Sequence, residues 1–580
     1  MELTTADLTL PSLREAYAAG GATPTSVATR LVARIQASHA VFITKPRLGE
    51  VLERCRELEA QPAEARGPLW GVPFAVKDNV DVAGMPTTCA CPDFSYVPEA
   101  SAPAVVALLA AGGVCLGKTN LDQFACGLVG ARTPYGICAN TFDDRFTPGG
   151  SSGGSAVAVA GALVCFALGT DTAGSGRVPA GLNGIVGVKP SLGRFSTTGV
   201  VPACFSLDCL SVFALSVEDG AEVARLMECS DIGDPTWRPR AEARLAQTYA
   251  RGQPFRFAVP SPEFLDFSGP GGAPVRREMD AAFADAVERL QAIGGERVEL
   301  DFAPFAETAQ LLYGAAFVAE RYSGIRAFLE ARAPGLEPPE LADLSIDQRL
   351  LKVTRSVIAK TENWSAADVF EGLQALASLR AAARVQLARV DVLVVPTAAY
   401  NYTVREIMAE EDEQDYQAML SGKTMISKNA NLGRFTNFVN LLDMCGVSVP
   451  SGLLRLGEPP RAPSPASPAR DSSSPSLARH SSFRGAGARL AAAEAAHAAG
   501  PAAERADHLA ATGSSAAVVP FGITVLAPAW TDEYVAGVAA AYLEATGLRA
   551  GPAGHGVAPY RMVGTVRPRK SGAAGAAARH

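Results

Sequence analysis

The chain has 580 residues, a formal net charge of -7, six histidines and eleven cysteines. Its content of 48% hydrophobic and 19% charged residues is that of a globular protein with a large core, and the acidic balance excludes the basic face of a nucleic-acid binder. At about 100 to 200 residues per domain the length predicts several domains, unless one large α/β domain takes most of it.

Helices come first. Leu13 to Ala19 ends at Gly20-Gly21, and Thr23-Pro24 offers a cap and a first-turn proline to a helix carrying Val27, Leu31 and Ile35. Strands and helices then alternate. Val72 to Val76 reads as an apolar strand, Ala104 to Ala111 as a helix stopped by Gly112-Gly113, and Val114 to Leu116 as a short strand. The uncharged run from Phe146 to Thr170 is long enough to span a bilayer, but Pro148 and the segment Gly149 to Ser155 would leave backbone groups unsatisfied in lipid. It reads as a loop, a short buried helix and a buried strand, and no membrane partner is expected.

Further on, Arg256 to Val259 reads as a strand and Arg277 to Ile293 as an amphipathic helix. Arg297 to Leu300 and Val390 to Val395 read as strands, the second closed by Pro396. The alternation predicts an α/β layered fold. From 457 to 516 the composition turns to Ala, Ser, Pro and Arg, which cannot bury enough apolar surface to order itself and reads as a disordered insertion. Ala517 to Ala527 resumes as a strand and Asp532 to Ala545 as a helix, so the insertion interrupts a folded unit made of residues 1–456 and 517–550. Residues 551–580 read as a flexible tail.

No histidine lies between His39 and His480. A site in that interval must move protons without imidazole, and a metal there must do without nitrogen ligands. The cysteines, odd in number and without paired spacing, fit a reducing compartment; Cys89-Ala-Cys91, with no second cluster, is a weak metal signal. Met1-Glu2-Leu3 soon meets Asp7 without an apolar run, which argues against a secretory signal and for a cytoplasmic location.

Two motif matches are set aside. Gly112-x4-Gly117-Lys118-Thr119 fits the P-loop expression, but Gly112 closes a helix and the intervening Val-Cys-Leu is itself strand-like, whereas a P-loop follows a strand and opens a helix. Gly149-Gly150-Ser151-Ser152-Gly153 fits the G-x-S-x-G elbow, whose mechanism needs a later histidine; those available sit in the insertion or the tail. What remains is a serine nucleophile with another base. Two Gly/Ser-rich segments, Gly149 to Ser155 and Gly169 to Arg177, flank an apolar helix and strand, and their glycines let backbone N–H groups approach a ligand as an oxyanion hole requires.

The candidate base is Lys77, at the end of an apolar strand. An ordinary lysine is neutral in about one molecule in 2,500 at pH 7. Burial disfavours the charge, and a fall of about three units costs on the order of 4 kcal/mol that the fold must offset. Taken alone, the segment reads equally well as a strand-end lysine paired with Asp78.

The three segments together, in this order, resemble the amidase signature family, whose core motif stands here as Thr147-Pro148-Gly149-Gly150-Ser151-Ser152-Gly153-Gly154-Ser155, with Ser175 following. The resemblance implies an α/β fold with a large mixed central sheet covered by helices on both faces. It makes Ser175 the nucleophile, Ser151 the bridging serine after a cis peptide bond from Gly150, and Lys77 the terminal base. The backbone amides of Thr172, Ala173, Gly174 and Ser175 would then face the oxyanion. No metal or organic cofactor is implied.

Within the family the resemblance is to allophanate hydrolases, carried by Ala173-Gly174-Ser175-Gly176 and by the stretch Pro202 to Ala214. It implies a small anionic amide substrate held by Tyr313 and Arg321, which lie eight residues apart on a helical stretch, about two turns and therefore one face. An arginine grips a carboxylate with two parallel hydrogen bonds. Gly127 is expected to line the pocket through its backbone and Arg177 to border it, with bracing of the loop as its other role. A homodimer and a functional link to a urea carboxylase are compatible with this reading. Only a short tail follows residue 550, so the expectation is amide hydrolysis alone, releasing ammonia and N-carboxycarbamate. A general amidase, the amidase component of a glutamyl-tRNA amidotransferase, and an inactive amidase fold kept as a binding partner stand as alternatives.

Overall fold

Short apolar runs, several of them closed by glycine or proline, become the strands of one mixed sheet. The computed structural model describes residues 4–239, 248–267, 277–331, 347–413, 427–456 and 517–554. Among them the strands are β1 (Phe42–Thr44), β2 (Pro73–Lys77), β3 (Val114–Thr119), β4 (Phe166–Asp171), β5 (Val186–Lys189), β6 (Cys209–Ala214), β7 (Phe255–Ala258), β8 (Gly295–Arg297), β9 (Val392–Pro396), β10 (Met444–Leu456) and β11 (Ala517–Pro528). Their order is β1-β3-β2-β4-β6-β5-β10-β11-β9-β7-β8. Neighbours run parallel through β3, β2 and β4 and again through β9, β7 and β8, and antiparallel where β4, β6, β5 and β10 meet.

Every residue of β2, β4, β5, β6 and β9 is buried, the condition of strands covered on both faces. Phe74 of β2 stacks on Phe166 of β4 with ring centres 5.2 Å apart, which fixes the two strands that carry the site. The three-residue strands β1 and β8 stand at the two ends of the order, where short edges limit unwanted pairing.

Local signals decide most boundaries. The helix Pro24–Ala37 starts at a capping box in which Thr23 and Ser26 exchange side-chain and backbone hydrogen bonds. The uncharged run becomes the helix Gly153–Ala160 and then β4, as expected. The strand expected at Arg297 to Leu300 instead begins at Gly295 and ends at Arg297. The reason is register: the chain turns at Gly294, with φ of +99°, and pairs at once with the four-residue β7. No helix among the described residues is long and apolar enough to cross a membrane.

The chain separates into two units, residues 1–454 with 519–580, and residues 455–518. The candidate site lies in the first. The expected insertion at 457–516, and all of the expected tail beyond 554, lie outside the described residues; Gly551–Gly554, expected as tail, form a helical turn. Within the first unit β10 and β11 run antiparallel: a side chain on Gly446 would meet the Val525 carbonyl, and one on Gly522 the Val449 carbonyl.

Candidate active site

Lys77 closes β2, and its ammonium nitrogen lies in the sheet interior with no exposure. Nζ donates to Ser151 Oγ at 2.7 Å and to Thr170 Oγ1 at 2.7 Å. Among the described residues no carboxylate bonds it. Burial therefore outweighs the more distant Asp122, Asp208 and Asp171 and pulls the Lys77 pKa down to about 7. Asp78, the alternative partner, pairs instead with Lys118 of β3 at 3.3 Å and takes the N–H and hydroxyl of Thr88. Lys118, the lysine of the P-loop-like match, is thus a buried strand residue.

Ser151 follows a cis peptide bond from Gly150. Gly150 is there because there is no room for anything else: a Cβ would stand 2.1 Å from Asp122 Oδ2. Asp122 organises this corner by accepting from Gly130 N and Arg132 N, while its own N–H donates to the Ser151 carbonyl.

Ser175 sits in the loop between β4 and the helix Val178–Leu182. Asp171, the last residue of β4, ties that loop by accepting from Gly174 N and Gly176 N at 3.0 Å each. It also receives Arg177 Nε at 2.9 Å and Nη2 at 2.8 Å. Burial alone would raise the Asp171 carboxyl; Arg177 more than offsets it and holds the pKa below the ordinary value. Arg177 directs its remaining donors to the Thr436 carbonyl and Asn440 Oδ1 and is fully buried. Its expected place beside the substrate is therefore corrected: it is an internal brace.

The same bonds narrow the expected oxyanion group. Gly174 N–H is committed to Asp171, whereas the N–H groups of Thr172, Ala173 and Ser175 donate to no other group among the described residues. No hydrogen bond joins Ser175 to Ser151 in this structure.

Asp208 was not singled out from the sequence. Its carboxylate receives the Thr172 hydroxyl, Ala203 N at 2.7 Å and Cys204 N at 3.0 Å. Burial pushes its pKa up to about 6 against the pull of those donors. The signal available was that it is the only acid in the stretch from Pro202 to Ala214.

Tyr313 and Arg321 do meet, by a different route from the expected shared helix. Tyr313 belongs to the helix Ala303–Gly314 and Arg321 to the helix Ala319–Glu330, with Ala315 extended between them. Arg321 Nη2 donates to Tyr313 Oη at 2.9 Å, and its guanidinium lies 5.0 Å from the Tyr313 ring centre. Arg321 is buried, with Nη1 3.5 Å from the Ala125 carbonyl and Nε unpartnered. Tyr313 packs on the apolar cluster that contains Leu128, Ala173 and Cys204, so this pair borders the loop of Ser175.

Gly127 has φ of +154°, and a Cβ there would stand 2.8 Å from Arg132 Nη1. Its role is to let that guanidinium close on the Cys126 carbonyl. Arg132 and Tyr313 both line a cavity of about 570 Å³, within the size range of small-ligand pockets.

The profile of the family described as Amidase matches residues 27–535. The chain belongs to the amidase family. Among curated amidase relatives, the urea amidolyase of Saccharomyces cerevisiae is 39% identical over 410 residues, which cover 70% of this chain and 20% of that protein. The chain thus spans about one fifth of that relative's length. A glutamyl-tRNA(Gln) amidotransferase component of Akkermansia muciniphila is 39% identical over 274 residues, covering 46% of this chain and 56% of that one. The structure of Kluyveromyces lactis allophanate hydrolase superposes with a TM-score of 0.71 at 30% identity, covering 93% of this chain and 73% of that one. The amidase fold, a large mixed sheet with helices, is therefore the fold of this chain.

Proposed function

We propose that this amidase-family chain hydrolyses the amide of allophanate, urea-1-carboxylate, to ammonia and N-carboxycarbamate. The observation that carries the reading is the 2.7 Å bond from a buried, carboxylate-free Lys77 to Ser151. With Lys77 neutral, Ser151 passes its proton to Nζ and takes the proton of Ser175, whose Oγ attacks the amide carbonyl. The N–H groups of Thr172, Ala173 and Ser175 receive the oxyanion. The relay then returns the proton to the departing nitrogen, ammonia leaves, and water cleaves the acyl-enzyme along the same path. The link between Ser175 and Ser151 closes on substrate binding, as catalytic hydrogen bonds commonly tighten in the Michaelis complex.

The substrate class rests on Tyr313 and Arg321. A buried guanidinium whose hydrogen bond goes to a neutral hydroxyl, with Nε left over, is built to receive a carboxylate. The likeness to K. lactis allophanate hydrolase and to urea amidolyases supports the same choice. An enzyme that carboxylates urea would supply this substrate.

The test is ammonia release from allophanate, malonamate, glutamine and simple aliphatic amides, with Ser175→Ala beside the parent. Allophanate is expected to be the best substrate and Ser175→Ala inactive. Arg321→Ala is expected to raise KM for allophanate at least tenfold more than for a neutral amide. If glutamine matches allophanate, the amidotransferase-like reading replaces this one.

A further inference from the structure

The cavity beside Tyr313 is far larger than a substrate of seven heavy atoms needs, and Ser175 does not line it. Its wall carries four charged side chains. Arg132 is neutralised by Glu411 at 2.7 Å, Arg434 by Asp266 at 3.0 Å, and Glu263 accepts from the Ser261 hydroxyl. Lys360, half-buried, has neither an ion pair nor a side-chain hydrogen bond among the described residues. Burial, with Arg132 beside it, pulls its pKa below the ordinary lysine value, the condition of a cation that lacks an anion. The cavity also holds an idle amide. Asn437, 5% exposed, has its Oδ1 buried and unpartnered. A buried amide oxygen without a donor costs about 1 to 3 kcal/mol, which a ligand N–H would recover.

We propose that Lys360 and Asn437 form an outer docking site in this cavity for a carboxylate-bearing amide, from which the substrate passes to Tyr313 and Arg321. Lys360 receives the carboxylate and Asn437 the amide N–H. The inference rests on the anionic-amide reading above and adds two specificity residues to it. A cation in a low-dielectric recess concentrates anions and raises their association rate, an effect that salt removes.

The experiment compares Lys360→Met, Lys360→Arg and Asn437→Leu with the parent on allophanate, malonamate and the neutral diamide malonamide, each at low and high salt. Lys360→Met is expected to lower kcat/KM for both anions about tenfold, leave kcat and the neutral diamide unchanged, and flatten the salt dependence. Lys360→Arg restores the parent values. Asn437→Leu is expected to raise KM for anionic and neutral amides alike. If the parent prefers anions and Lys360→Met keeps that preference and its salt dependence, the docking site is overturned while the proposed function stands. A parent with no preference for anions overturns both.

Discussion

Lys77, the proposed base, has to work near neutral pH, and its surroundings supply the cause: hydroxyl partners and, among the described residues, no contacting carboxylate. Its ordinary pKa of 10.5 is lowered to about 7. Activity is therefore expected to rise with pH through about 7, as Lys77 loses its proton. A kcat/KM profile that is flat between pH 6 and 8 would count against Lys77 as base. Stability follows with a definite sign. Below 10.5 the unfolded chain binds a proton that the native chain refuses until about 7, so stability falls as pH drops through that window. Lys77→Met removes the slope. Its stability relative to the parent is expected to be about 2 kcal/mol better at pH 7 than at pH 9, measured by urea unfolding at both. The Lys77–Ser151 contact at the centre of the proposed triad was legible because lysine and serine stand out in Gly-rich segments of a histidine-free interval. Asp208 was not, because a lone acid in an apolar stretch shows its purpose only when Thr172, from another strand end, reaches it.

At the scale of elements, the loop after β4 is held by what glycine permits. Gly174 has φ of +132°, and a Cβ there would stand 2.4 Å from Thr436 Oγ1. Gly174→Ala is expected to cost about 1 to 3 kcal/mol and most of the activity, because the loop carrying Ser175 must move. Gly20→Ala is the control: it also has positive φ, +68°, but nothing within 4 Å, and activity is expected to survive. Thermal melting and turnover of the two variants separate the effects. Elements with local signals were readable in advance, as the Thr23 capping box and the proline-closed β9 illustrate. The Arg297 strand was misplaced because its ends are set by its partner β7, and the Tyr313–Arg321 helix because nothing in Ala315 announces a break. Periodicity brought that pair to the right neighbourhood for the wrong reason.

On the whole molecule, β10 and β11 are sheet neighbours although some sixty residues separate them in sequence. Since they run antiparallel, we propose that a short turn can replace 457–516. Loop closure costs about 0.6 kcal/mol per doubling of length, so the shortened chain is expected to gain up to about 2 kcal/mol and keep its activity. Loss of turnover with an intact melting transition would give the insertion a functional role. The strand order carries another consequence, for the time course of synthesis. Among the described strands, the half-sheet β1 to β6 and the half-sheet β7 to β9 are joined in the sheet by β10 and β11, the last strands a ribosome makes. Until residue 528 is out, β5 and β9 present bare hydrogen-bonding edges, and β2 with its lysine belongs to an unfinished sheet. A nascent chain with this strand order therefore carries open sheet edges through most of its synthesis.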